Sequence, residues 1–163
     1  MSRLVSDLEA VLQGLIAEHR TLLDQARSHE AALRTFDLKA MDALAAKQEA
    51  TRLRIAAWES RRKAVLAQLA RTMRVAPTVT LAQLADLHPP RRAALLKLRD
   101  ELKNLAEQIA SRNKVGGRIA SAVLGHLNTA VRLLASAVEK KGVYTKAGTP
   151  HLTRRIGVIE AVG

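Results

Sequence analysis

With 163 residues, the chain has the length of a single ordinary domain. Its 48% hydrophobic and 26% charged residues exclude a wholly disordered chain, whose apolar content would be too low to offset the entropy of ordering. The chain has no cysteine, which excludes disulfide scaffolds and thiolate zinc sites, and its three aromatic residues favour an elongated helical body over a rounded core. The first twenty residues include charged side chains and no uninterrupted apolar run, so we expect a cytoplasmic protein.

The net charge of +12 is unevenly distributed along the chain. Residues 1–50 contain six basic and eight acidic residues, residues 51–100 contain eleven and three, and residues 101–163 contain ten and four. A basic surface can bind nucleic acid or an anionic membrane, and it can equally be a solvated face or a docking surface for an acidic protein. Charge alone therefore leaves nucleic-acid binding open as an alternative.

The first half of the chain predicts two long helices, because neither glycine nor proline occurs between Gly14 and Pro77. We expect the chain to fold back at residues 35–37, where helix propensity is weakest. After the bend, the apolar seam of the second helix is interrupted by polar residues, including Gln48 and Thr51. Before the bend, apolar residues and two histidines recur at steps of three and four, as an amphipathic helix requires: Leu8, Leu12, Leu15, His19, Leu22, Ala26, His29 and Leu33.

Local signals divide the remainder of the helical region. Pro77 and its β-branched neighbours predict the end of the second helix, and Thr80 is a candidate N-cap for a short helix over residues 81–87. The sequence from His88 to Pro90 ends that helix and opens a third major one. Gly116 and Gly117 predict a hinge or break in it, because each glycine inside a helix costs about 1 kcal/mol relative to alanine.

Beyond the glycine pair, the apolar stripe doubles in width. Arg132 is the only formally charged residue between Ile119 and Val138. This is more apolar surface than one neighbouring helix covers, and the polar interruptions disfavour a membrane span, so we expect burial against another protein. Packing within the chain and a homodimer seam remain alternatives. One seam contains Ile119, Val123, Ala130, Leu133 and Ala137, and a second contains Leu124, Leu127, Val131, Leu134 and Val138.

These patterns together predict an all-α fold. We expect an elongated antiparallel helical hairpin or bundle with long helices, one short connecting helix and an irregular C-terminal tail. The helical domain is predicted to cover residues 1–141, and the glycine- and proline-containing residues 142–163 are predicted to form the tail or a docking segment.

No constellation of residues typical of an enzyme is found, and we expect no catalytic residue, metal site or cofactor. His19 and His29 lack the spacing of a zinc-binding helix, and Gly116 and Gly117 lack the context of a phosphate-binding loop. A basic cluster lacks interleaved aromatic residues and any recognisable DNA-binding order, which disfavours nucleic-acid binding. This cluster comprises Arg52, Arg54, Arg61, Arg62, Lys63, Arg71, Arg74, Arg91 and Arg92.

Taken in order, several short motifs resemble those of the FlgN family of flagellar type III export chaperones. Residues 15–23, LIAEHRTLL, resemble the first-helix signature of the family, and residues 44–48, LAAKQ, followed by ESRR from Glu59, resemble its second helix. Further resemblances are Thr80-Leu-Ala-Gln-Leu-Ala to its short helix, Leu98-Arg-Asp-Glu-Leu with Asn113 to its final helix, and Gly142-Val-Tyr-Thr-Lys-Ala-Gly to its C-terminal ending.

This resemblance implies a non-enzymatic chaperone. Such a protein would bind the C-terminal helices of hook-associated proteins at the hook-filament junction, prevent their premature association and deliver them to an export gate component. The substrate-binding residues would be Ile119, Val123, Leu124, Leu127, Val131, Leu134 and Val138, and Tyr144 resembles the gate-docking tyrosine of the family. The alternative is a basic helical scaffold or nucleic-acid-associated binding protein.

Overall fold

The computed structural model describes residues 2–75 and 79–142. Its elements in chain order are α1 (Ser2–Thr35), α2 (Leu38–Met73), α3 (Leu81–Asp86), a short 3₁₀ helix (Pro89–Arg91) and α4 (Arg92–Gly142). Within the described ranges no strand occurs, so the predicted all-α fold of long helices with one short helix is confirmed. The chain divides into two compact units, an N-terminal unit over residues 1–121 and a C-terminal unit that begins at Ala122.

The predicted bend at residues 35–37 is confirmed as the turn between α1 and α2. Phe36 adopts a left-handed conformation with φ 54°, its N–H donates to the carbonyl of Leu33, and the Asp37 N–H donates to the carbonyl of Ala32. These two bonds satisfy carbonyls that the end of a helix would otherwise leave unpaired. Asp37 then begins α2, because its carboxylate accepts the N–H of Ala40 at 2.9 Å.

The connection from α2 to α4 begins at Arg74, which ends α2 in the left-handed conformation. Thr80 and Gln83 then form a reciprocal capping box, which confirms Thr80 as the N-cap of the short helix. Pro89 opens the 3₁₀ turn that leads into α4, as predicted. Leu84 on α3 is fully buried, so this short helix contributes directly to the core of the N-terminal unit.

Helices α1 and α2 pack as an antiparallel hairpin. Gly14 of α1 faces Trp58 of α2 so closely that a β-carbon at position 14 would lie 2.7 Å from the indole. The main core joins the first half of α1 to the second half of α2, to α3 and to the start of α4. Its buried members are Val5, Leu8, Val11, Leu12, Leu15, Leu69, Leu84, Ala85 and Leu95.

Within the N-terminal unit, α4 runs parallel to α1. Two ion pairs join the two helices, Arg20 with Glu101 and Arg112 with Glu30. A third, Arg91 with Glu9, joins α1 to the 3₁₀ turn just before α4, and all three have sequence separations of 81 or 82 residues. A second core lies between them and contains Ile16, Leu23, Leu105 and Ile109. In this register Thr35, the last residue of α1, is level with Gly117, and a β-carbon at Gly116 would touch Leu33 at 3.7 Å.

The break predicted at Gly116 and Gly117 is wrong, because α4 is helical without interruption from Arg92 to Gly142. Glycine weakens a helix, but it keeps the backbone N–H that the next turn of hydrogen bonds requires. Two penalties of about 1 kcal/mol are small in a helix of 51 residues. Residues 143–163, where the predicted tail lies, are outside the described part of the chain.

We predict that Gly14→Ala destabilises the protein, because the added methyl group would displace Trp58 from its contact with α1. The expected loss is about 1–3 kcal/mol, which is typical of overpacking in a core. The matched control is Gly117→Ala, where nothing lies within 4 Å of the new carbon, and it should gain up to about 1 kcal/mol. Urea unfolding followed by circular dichroism measures both, and equal stability changes in the two variants would contradict the account of the Trp58 contact.

Candidate partner-binding surface

The C-terminal unit exposes a row of large aliphatic side chains along α4. The exposed fractions are 64% for Leu124, 51% for Leu127, 56% for Val131, 65% for Leu133 and 68% for Leu134. Five such residues within eleven positions of one helix form a contiguous patch, in contrast to the single exposed aliphatic residues that are normal on protein surfaces. This patch is the largest concentration of exposed aliphatic side chains in the part of the chain that the structure describes.

The predicted binding residues differ in their exposure to solvent and in the unit to which they belong. Leu124, Leu127, Val131 and Leu134 are exposed, and Val123 is half-buried. Ile119, also half-buried, belongs to the N-terminal unit. Val138 lies in the last turns of α4, outside the range of described side chains, and Tyr144 lies outside the described residues.

Sequence analysis did not include Leu133 among the predicted binding residues, although it belongs to the first apolar seam. Its 65% exposure places it with the exposed leucines of the second seam. The doubled width of the apolar stripe could have identified Leu133, because one neighbouring helix covers only one of the two seams.

The chemistry of this surface is limited to apolar packing. Its backbone is helical throughout, and the hydroxyls of Thr129 and Ser136 donate to carbonyls of their own helix, Gly125 and Leu133. Arg132 is the one formally charged residue from Ala122 to Ala137. A partner therefore gains affinity here from buried apolar area, because the helix backbone has no free hydrogen-bonding groups to offer.

Polar residues of the hairpin have a structural role instead. Thr51 is fully buried, and its hydroxyl accepts bonds from Gln25 at 3.0 Å and Arg54 at 2.9 Å while donating to the carbonyl of Lys47. Arg54 also pairs with Glu18 at 3.0 Å. Of the polar interruptions that sequence analysis found in the second helix, Thr51 thus forms a hydrogen-bonded contact between α1 and α2.

Glu30 is a second buried polar residue with a structural role. Its side chain is 3% exposed, and it pairs with Arg34 on its own helix and with Arg112 on α4 at 3.3 Å. A buried carboxylate needs such partners, since an unpaired one would be strongly destabilising. Through its ion pair with Arg112, Glu30 therefore links α4 to α1 near the C-terminal end of α1.

Most of the predicted basic cluster is paired within the chain. Arg61 lies over the Trp58 ring at 5.5 Å from its centroid. Five other arginines form ion pairs: Arg52 with Glu49, Arg54 with Glu18, Arg62 with Glu59, Arg91 with Glu9, and Arg92 with Asp86. These contacts reduce the number of free cations that could neutralise phosphates.

Two other features of the N-terminal unit were not found from the sequence. Phe36 and Leu38 at the hairpin turn are 48% and 60% exposed. A shallow groove of about 510 Å³ lies between α1 and α4, with Ile16, Ala17 and Leu98 among its lining residues. The ion pairs that cross this groove depend on the register of two helices distant in sequence, which no local pattern specifies.

The described residues form neither a metal site nor a membrane-spanning helix. Over residues 2–75 and 79–142, no group of three or more histidine, aspartate or glutamate side chains is placed to hold a metal ion. None of the helices in the described part of the chain combines the length and apolar content that crossing a membrane requires.

The chain matches the model of a known protein family. The family model described as FlgN protein matches residues 1–151, which is most of the chain. The matched range contains the whole N-terminal unit, the exposed part of α4 and Tyr144. No curated protein and no solved structure gives a significant match.

We predict that the chain does not retard DNA or RNA in a mobility-shift assay at about 150 mM salt, because most of the basic cluster already contacts carboxylates or the Trp58 ring within the chain. A weak complex at low salt should show a shallow dependence on salt concentration. Binding that persists at 150 mM salt and falls steeply as salt is added would instead favour a nucleic-acid-associated protein, since each phosphate contact adds to the slope.

Proposed function

This chain belongs to the FlgN family of flagellar export chaperones, and we propose that it binds the C-terminal helices of hook-associated proteins through the exposed apolar face of α4. Binding would prevent premature association of these proteins at the hook-filament junction and deliver them to the type III export gate. The protein acts by non-covalent binding in the cytoplasm, without a catalytic step.

The observation that carries this proposal is the exposure of Leu124, Leu127, Val131, Leu133 and Leu134. Complete burial of a leucine or valine side chain contributes about 1.5–3 kcal/mol relative to exposure. Five side chains that are half to two-thirds exposed therefore represent on the order of 5 kcal/mol that a binding partner can realise by covering them.

An amphipathic helix is the partner that fits this face. Four of the exposed residues, Leu124, Leu127, Val131 and Leu134, recur at steps of three and four, which is the spacing at which one helix packs its side chains against another. An extended peptide would need free backbone N–H and C=O groups, and a continuous helix provides none along its length.

The same contact explains how binding would prevent premature association. Helical segments that assemble with one another do so through their apolar faces, and a chaperone helix that covers such a face competes directly with assembly. The side chains of Leu127 and Leu134 lie seven residues apart, on one side of α4, and can act together on one partner helix.

Two parts of the proposal concern residues without a described side chain. Val138 continues the step of three and four after Leu134, so we include it in the binding surface. Tyr144 follows the end of α4 and is our candidate contact for the export gate, from the resemblance of its surrounding motif to the family.

We predict that the double variant Leu127→Asp with Leu134→Asp loses the complex with a hook-associated protein. Two carboxylates in an apolar interface should weaken binding about 100-fold or more, because each would be buried without a partner. Co-purification and calorimetry measure the complex, and circular dichroism should show unchanged helix content.

The matched control is Thr129→Asp with Ser136→Asp, which adds the same charges at the same spacing on the polar side of α4. This control should bind with nearly unchanged affinity. Loss of binding in both variants, or in neither, would place the binding surface elsewhere. A change in the sedimentation of the free protein in the first variant alone would indicate a homodimer seam.

A further inference from the structure

The apolar surface of the C-terminal unit covers about half of the circumference of α4, at 3.6 residues per turn. Leu124 lies at one edge and Leu133 at the other, about 180° apart around the helix axis. Both edges are open to solvent, with exposed fractions of 64% and 65%.

This half-circumference contains two parallel lines of side chains. The Leu124 line consists of Leu124, Leu127, Val131 and Leu134, and the Leu133 line consists of Val123, Ala130, Leu133 and Ala137, with the exposed and formally neutral His126 as its one polar member. The centres of the two lines are about 90° apart around the helix. One neighbouring helix covers a single stripe, so a lone partner helix on either line would leave the other line in water.

We propose that the occupant of this surface is a pair of helices from one partner molecule, so that α4 completes a three-helix bundle with them. This inference rests on the proposed function and specifies the form of its substrate. One partner helix packs on the Leu124 line and the other packs on the Leu133 line. The two partner helices contact each other where the two lines meet.

The residues beside each line support close approach of two helices. Asn128 and Ala135 border the Leu124 line and Ala122 borders the Leu133 line, so the borders carry small or uncharged side chains. Arg132 points to the polar side of the helix, where it does not meet either partner helix. Recognition therefore depends on apolar shape, with no charge pairs at the flanking positions to fix a single sequence.

Charge favours a different protein over a second copy of this chain. The chain has a net charge of +12, and no acidic residue occurs from Ala122 to Ala137 to offset the repulsion between two copies. A second copy would also cover only one line of each α4, which leaves the other line exposed. A partner whose helix pair is apolar inside and acidic outside satisfies both constraints.

Site-specific crosslinking tests this geometry directly, because the chain has no cysteine of its own. Full-length chains with Leu124→Cys or Leu133→Cys are each labelled with a photoactivatable group and mixed with a full-length hook-associated protein. The control is Gly125→Cys, which lies on the polar side in open space. Mass spectrometry then identifies the crosslinked peptides.

We expect the two edge positions to crosslink to two different helical segments of the same partner molecule, and the control to give at least tenfold less product. Crosslinks from both edges to one segment would overturn the two-helix inference and leave the proposed function intact. Crosslinks from Leu133→Cys to a second copy of this chain would also overturn it. If the unlabelled chain forms no complex with any hook-associated protein, the proposed function itself fails.

Discussion

The parallel pairing of α1 with α4 is the constraint on which the rest of the structure depends. Two ion pairs between α1 and α4, and a third between α1 and the turn just before α4, lie at nearly constant sequence separation and fix the register of the two helices. The buried Glu30 adds a strong penalty for breaking this register. Helix α1 has 34 residues and α4 has 51, so in this register α1 has no residue to oppose α4 after Gly117. The apolar side chains of α4 are therefore buried at Leu105 and Ile109 and exposed from Leu124 onward.

The two units consequently use similar apolar patterns for different purposes. In the N-terminal unit, leucines at helical spacing form the core and polar residues such as Thr51 are fully hydrogen-bonded within it. In the C-terminal unit, leucines at the same spacing remain in water, which is costly for an isolated chain and favourable for one that acts by binding. Under the proposed function this apolar surface is the part of the chaperone that holds the helical segments of its substrate.

Sequence patterns predicted the helices wherever local chemistry defines their ends. The turn at Phe36, the N-cap at Thr80 and the proline-led start of α4 were all predicted, because each depends on neighbouring residues alone. The break at Gly116 was predicted wrongly, since a propensity of about 1 kcal/mol was given more weight than the continuity of a long helix. The Gly14 contact with Trp58 and the ion pairs between α1 and α4 join residues distant in sequence, and no local pattern specifies them. Four of the predicted site residues are exposed on α4. The exposure of Leu133 could not be predicted locally, because it depends on how far along α4 the packing of α1 extends.

Hydrogen–deuterium exchange on the full chain, with and without a bound hook-associated protein, tests most directly whether the exposed face of α4 is the binding surface. In the free protein, amides of residues 122–137 should exchange faster than those of the buried positions around Leu8 and Leu15, because the side chains of this segment are mostly exposed. Binding should slow exchange in residues 122–137 and leave the hairpin of α1 and α2 nearly unchanged. Protection that develops only within residues 1–121, with no change from Ala122 onward, would contradict the account.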